Sequence, residues 1–224
     1  MDRLYRTRLL FGDTGVNKLK NATVMVVGCG AVGSFAAEAL ARTGVGHLIL
    51  VDFDVIEESN INRQIFALNS TIGKQKVNVA AQRIQDINPD IQVDVFNMFL
   101  DANNTPDCNP DIIIDAIDTV ESKIALYQWA YKKQIPWISS MGAALKTDIS
   151  QIKISTISRT SVCPLASRIR HLIREINLPD FPVVYSTEKP TKVHGHAKNM
   201  GSNVTVTGTF GLILANWAIQ KIIS

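Results

Sequence analysis

At 224 residues, 46% of them hydrophobic and 19% charged, the chain can bury the core of one α/β domain with a peripheral extension. A formal net charge of +3 excludes a nucleic-acid binder recognisable from bulk charge alone, so any such contact has to be local. Cys29, Cys108 and Cys163 are far apart and form no CxxC pair, which excludes a disulfide framework or zinc knuckle and fits a reducing cytoplasm.

The first ten residues carry three arginines and no apolar run, so residues 1–22 are read as an N-terminal arm and not as a secretory signal. Thr23–Val27 is a β-branched strand that runs into glycine, followed by an Ala-rich helix, Ser34–Arg42, which Gly44 can cap. His47–Asp52 is the next strand. Lys74–Ile87 has helical spacing (Val77, Ala80, Ala81, Ile84, Ile87) and stops at Asn88-Pro89. Gln92–Asn97 predicts a third strand, and the continuous apolar run Ile112–Ala116 a fourth, buried on both faces. A helix over Ser122–Lys133 and a strand over Trp137–Ser140 complete a core spanning residues 23–150. The alternation predicts an α/β, Rossmann-like fold: a mostly parallel twisted sheet with helices on both faces.

Residues 151–224 read as an antiparallel and helical C-terminal extension of the same single domain. Gln151–Thr156 alternates like an antiparallel strand, Leu165–Ile176 is a basic amphipathic helix, and Asp180–Lys198 is a loop containing Pro, Lys and His. From Arg159 to Lys198 there are seven Lys/Arg and three acids. The last helix, about Gly208–Ile223, has Gly208, Gly211 and Ala215 spaced for close packing. Asn199–Gln220 lacks charge, but its polar and glycine content favours a buried helix over a membrane span.

Gly28-Cys29-Gly30-Ala31-Val32-Gly33 is GxGxxG between a strand and a helix. Gly28 permits the tight turn, Gly30 lets backbone approach a phosphate, and Gly33 lets the helix pack on the sheet. Asp52 ends the second strand, where a carboxylate accepts ribose hydroxyls. These features predict a bound nucleotide but suit a dehydrogenase equally.

The decision lies further on, in Asp52-Phe53-Asp54, Ser59-Asn60-Ile61-Asn62-Arg63-Gln64, Gly73-Lys74-Gln75-Lys76 and Asp115-Ala116-Ile117-Asp118. The joint pattern resembles the ThiF/MoeB/ubiquitin-activating superfamily of ATP-dependent adenylating enzymes across roughly the first 150 residues. Adenylation builds charge on phosphate oxygens, so fixed cations and a metal supply most of the catalysis. The resemblance implies ATP and Mg²⁺ as cofactors. It places Arg63 and Lys76 on the phosphates, Asn60 and Gln64 beside them, and Asp118 on the metal. It also implies a homodimer in which Arg6, or else Arg8, reaches the partner's site. Lys74 is then a solvated helix start, and Glu57 and Glu58 are surface charge.

Within the superfamily there is no pair of CxxC motifs, as sulfur-carrier activators usually have, and no room for a separate thioester domain. The wording Glu38-Ala39-Leu40-Ala41-Arg42-Thr43-Gly44-Val45-Gly46, Arg83-Ile84-Gln85-Asp86-Ile87-Asn88-Pro89, Cys163-Pro164-Leu165-Ala166 and Tyr185-Ser186-Thr187-Glu188 resembles the tRNA threonylcarbamoyladenosine dehydratases along nearly the whole chain. That resemblance implies adenylation of the threonylcarbamoyl carboxylate on tRNA, then cyclisation with net loss of water. It gives Arg168, Arg170 and Arg174, with His171 and the Lys189–Lys198 loop, a polyanion to meet. Val183 and Val184 stand where the family often has a cysteine, so a sulfur-transfer partner is not expected, and Cys163 is read as a buried helix-start residue. The alternatives are an activator of the C-terminal glycine of a ubiquitin-like or sulfur-carrier protein, and a silent nucleotide-binding scaffold. The intact Arg63, Lys76 and Asp118 set argues against the scaffold.

Overall fold

The computed structural model describes residues 2–192 and 200–224. In chain order the elements are α1 (Tyr5–Asn21), β1 (Thr23–Val27), α2 (Gly33–Thr43), β2 (His47–Val51), α3 (Lys76–Ile87), β3 (Gln92–Phe96) and β4 (Ile112–Asp115). There follow α4 (Val120–Lys132), β5 (Trp137–Ser140), β6 (Ile152–Thr156), α5 (Pro164–Glu175), β7 (Pro182–Ser186) and α6 (Val204–Ile223).

The seven strands form one sheet in the order β3-β2-β1-β4-β5-β7-β6, parallel throughout except for β6 against β7. Winding runs outward from β1 to β3 and then returns to β4 on the other side of β1. The switch point therefore falls between β1 and β4, and in open sheets of this kind ligands bind outside the carboxyl ends of the strands at that point.

Side-chain alternation builds the two layers. Val24 and Val26 join Leu40, Val77, Ile84, Phe210 and Leu214 beneath α2, α3 and α6. Met25 and Val27 face the opposite way, with Leu126, Tyr127, Ile169 and Phe181 beneath α4 and α5. Twenty-residue α6 is long and apolar enough to cross a membrane, yet it lies along α2 and under the sheet, as a buried core helix. A Cβ on Gly211 would stand 2.3 Å from the Val32 carbonyl oxygen, so this close approach requires glycine.

Several boundaries differ from the sequence reading. The N-terminal arm is a helix kinked at Gly12, where the backbone leaves helical angles. The stretch read as a loop over Asp180–Lys198 contains β7: Pro182 opens the strand instead of breaking it, because a first strand residue can lack its N–H. Residues 193–198 of that stretch lie outside the described residues. The last helix starts at Val204, four residues before the expected Gly208, capped by the Asn203 side chain, which accepts from the Thr205 N–H. Helix α3 starts at Lys76, not Lys74.

Candidate active site

Everything that the glycine motif needs is at the carboxyl end of β1. Gly28 has φ +91°, and its added Cβ would sit 2.7 Å from the Ala116 carbonyl oxygen. Gly33 is tighter still, with a Cβ position 1.7 Å from the Gly28 carbonyl oxygen. The loop is thus folded onto itself and onto the β4–α4 connection, and the first turn of α2 starts at the switch point. N–H groups left free at such a helix start can receive an anion.

Asp52 locks this loop. One carboxylate oxygen accepts from the Cys29 N–H at 2.6 Å and the other from the Asp54 N–H at 2.8 Å. Burial raises its pKa, and the two backbone donors and nearby Lys76 offset only part of that cost. Both oxygens keep lone pairs for further donors such as ribose hydroxyls. Next to it, Lys76 is buried, with Nζ 2.7 Å from Asp54 Oδ2 and its own N–H bonded to the Asp54 carbonyl. Lys74 is exposed. The lysine assigned to the phosphates is therefore the one held next to Asp52, with the partly exposed Asp54 carboxylate as its resting partner.

The Ser59–Gln64 segment crosses above. Asn60 is buried, and its side-chain oxygen accepts from the Glu57 N–H, so it shapes the turn. Arg63 donates to the Ser59 carbonyl and to Asn62 Oδ1, both at 2.7 Å. Gln64 is buried against the glycine loop, its Nε2 3.8 Å from where a Gly30 Cβ would lie. The Ile65 N–H donates to Ser34 Oγ in α2, which anchors the segment over the helix start.

Asp118 completes the crest from β4. It is exposed and receives only a 3.3 Å bond from Thr119 Oγ1. No group of three His, Cys, Asp or Glu side chains converges among the described residues, so Asp118 is a lone carboxylate. That donor set fits Mg²⁺, which usually takes one or two carboxylates along with phosphate oxygens and waters.

Comparison with known proteins follows this geometry. The ThiF family model matches residues 2–224. The tRNA threonylcarbamoyladenosine dehydratase of Bacillus subtilis is 39% identical over 97% of this chain and 93% of that protein. The Escherichia coli dehydratase is 34% identical over 97% and 92%. A crystal structure of the E. coli enzyme, TcdA, in complex with ATP superposes with a TM-score of 0.93 at 34% identity, covering 99% of this chain and 93% of that one.

The chain belongs to the ThiF family.

Other predicted residues of this ThiF-family chain stand apart from the crest. Arg6 is exposed on α1, two residues after Leu4, whose side chain packs on Gly44 at the end of α2. Arg3 donates to the Ile87 carbonyl at the end of α3. Both contacts lie at the amino ends of the strands, so Arg6 does not reach its own chain's glycine loop. Arg8 is held within the arm by Asp2 at 3.1 Å and by Asp13. Of the basic helix, Arg168 pairs with Glu121 at 3.1 Å and Arg174 is exposed. Arg170 departs from the expectation: half-buried, it donates to the carbonyl and hydroxyl of Thr160, so it braces α5 instead of facing outward.

The ThiF sheet also carries a buried network that sequence reasoning missed. Asp115 and Lys123 are both fully buried and 2.7 Å apart. Lys123 also donates to the Ser140 carbonyl at 2.9 Å, and Tyr127 donates to Asp115 at 2.7 Å beside Ser139. Removing one partner from such a pair costs about 3–5 kcal/mol. The only sequence signal is the DxxD match, which points to Asp118 and gives no reason to look at Lys123. Burial pushes Cys108 up to about 11 and, with Asp52 close by, drives Cys29 well above its ordinary range. Cys163 is buried just before Pro164, at the start of α5.

Proposed function

We propose that this chain is an ATP-dependent tRNA threonylcarbamoyladenosine dehydratase. The observation that carries this reading is the overlay of 99% of the chain on a dehydratase solved with ATP, combined with the Asp52–Asp54–Lys76 cluster at the glycine loop. The carboxylate of the threonylcarbamoyl group attacks the α-phosphate of ATP and pyrophosphate leaves. The carbamoyl group then attacks the acyl-adenylate, AMP departs, and the net change is loss of one water.

Each residue has a task in this scheme. Glycine-loop N–H groups hold the phosphates, and Asp52 takes the ribose hydroxyls. Lys76 exchanges Asp54 for phosphate oxygens, and Arg63 adds a second cation where charge develops. Asn60 and Gln64 hold the turn and the loop beneath them. Mg²⁺ bound at Asp118 would neutralise phosphate charge. The nucleophile belongs to the substrate, which agrees with the raised pKa values of Cys29 and Cys108.

A homodimer supplies Arg6 to the neighbouring site. Supporting it, the same half of α1 exposes Leu9 at 64% and Leu10 at 74%. In this reading residues 1–22 are the dimer arm, 23–150 the nucleotide core and 151–224 the substrate and dimerisation extension. Arg168 and Arg174, with Lys189 and Lys192, contact tRNA, and the free cysteines suit a cytoplasmic enzyme.

The test is incubation with ATP, Mg²⁺ and threonylcarbamoyl-bearing tRNA. AMP and pyrophosphate should form only with that tRNA, and nucleoside mass spectrometry should register loss of one water. AMP formation driven by a carrier protein ending in Gly-Gly, with tRNA inert, would overturn the reading in favour of a carrier-protein activator.

A further inference from the structure

Helix α4 begins at Val120 with no side-chain cap: Thr119 stands at the cap position and makes no capping bond. What holds this end is Asp115. Its Oδ1 accepts from the Ile117 N–H at 3.0 Å, closing a turn within the β4–α4 loop. Its Oδ2 accepts from Lys123 and Tyr127, in the first and second turns of α4, and from Ser139 on β5. The four-residue loop 116–119 is thus tied at both ends to one buried carboxylate, with exposed Asp118 between the ties. The same loop meets the nucleotide crest: the Ala116 N–H donates to the Val27 carbonyl, and the Ala116 carbonyl lies against Gly28.

A buried ion pair is a poor choice for stability alone, since well-packed apolar residues of similar volume commonly do as well or better. Its place at the carboxyl ends of β4 and β5, under the one loop that joins the glycine turn to Asp118, calls for a geometric role. We propose that Asp115 and Lys123, with Tyr127, are positioning residues that set Asp118 relative to the glycine loop and so govern the metal-dependent part of ATP binding. This inference rests on the assignment of Asp118 to Mg²⁺ made above.

The test uses the full-length paired variant Asp115→Asn/Lys123→Met, which removes both charges and strands neither. Calorimetry measures ATP affinity with Mg²⁺ and in chelator, alone and combined with Asp118→Ala. ATP affinity in chelator should stay within about twofold of wild type, while the gain on adding Mg²⁺ should fall about tenfold. In the Asp118→Ala background the paired change should produce no further loss, because it acts through that carboxylate. An intact Mg²⁺ gain, or losses that multiply, would overturn the proposal. Should the paired variant not fold, Tyr127→Phe carries the test: a loss of about threefold in the Mg²⁺ gain, again absorbed by Asp118→Ala, supports it, and a wild-type gain refutes it. If Asp118→Ala itself keeps the full gain, the metal assignment has failed, and the network proposal falls with it. If only the network variants keep it, the assignment stands and the network proposal alone is wrong.

Discussion

Two alanine substitutions in one loop should separate a nucleotide contact from a packing contact. Gly30 has no positive φ, and nothing approaches its Cβ position closer than the Gln64 side chain at 3.8 Å. Gly30→Ala should therefore leave stability within about 0.5 kcal/mol, a melting shift of no more than about 2 °C for a chain of this size. The methyl group would occupy the face where backbone meets phosphate. Losing one charge-assisted N–H contact, worth about 1.5–3 kcal/mol, corresponds to a drop of about 10- to 100-fold in ATP affinity. Gly33→Ala is the opposite case, because a Cβ 1.7 Å from the Gly28 carbonyl oxygen cannot fit without opening the loop. It should cost at least about 2 kcal/mol and lower the melting temperature by about 4–8 °C. Thermal denaturation and calorimetry with ATP measure both. A Gly30→Ala protein that melts and binds ATP like wild type would refute the phosphate cradle.

Lys76→Met should cut the rate of AMP formation about 10²- to 10³-fold with little loss of stability, since Asp54 is 45% exposed and water can take over its charge; single-turnover kinetics reads this. Arg6→Ala and Asp118→Ala should each be inactive, and subunit exchange between them should restore activity, because some mixed dimers carry one intact composite site; inert mixtures after proven exchange would refute sharing. Burial pushes the Glu188 carboxyl up, but the N–H groups of Asp148 and Thr147 outweigh it, so its folded pKa lies below the ordinary 4.5. Its stabilisation is thus complete above pH 4.5 and lost as pH falls through the lowered value, and Glu188→Gln should flatten that acid limb in pH-dependent denaturation.

The nucleotide crest was legible because its chemistry is written locally. Gly28, Gly30 and Gly33 follow a strand at fixed offsets, and Asp52 ends the next one, so a short window contains each part. Lys76 could be distinguished from Lys74 only in outline, since the Asp54 partner that holds it is 22 residues away. The Asp115 network was illegible for the same reason: its ties span 8, 12 and 24 residues, and nothing in the local sequence singles out Lys123. Arg170 belonged to the basic face by sequence, and its turn toward Thr160 follows from how α5 docks, which periodicity cannot register. Strand β7 was hidden by Pro182, whose neighbours Val183, Val184 and Tyr185 pair with strands far away in sequence.

The position of Arg6 limits which site it can serve. The Leu4–Gly44 and Arg3–Ile87 contacts fix the start of α1 at the amino ends of the strands. The glycine loop, Asp52 and Asp118 lie at the carboxyl ends. A five-residue strand such as β1 separates the two edges by about 16 Å, which exceeds the reach of an arginine side chain. Arg6 therefore cannot serve the site of its own chain without releasing α1. It serves a site on a second copy, or it has no part in the chemistry. Arg8, satisfied by Asp2 and Asp13, offers no substitute. Loss of activity in Arg6→Ala with fold and assembly intact, restored by exchange with Asp118→Ala subunits, is the result expected of a site shared between two copies.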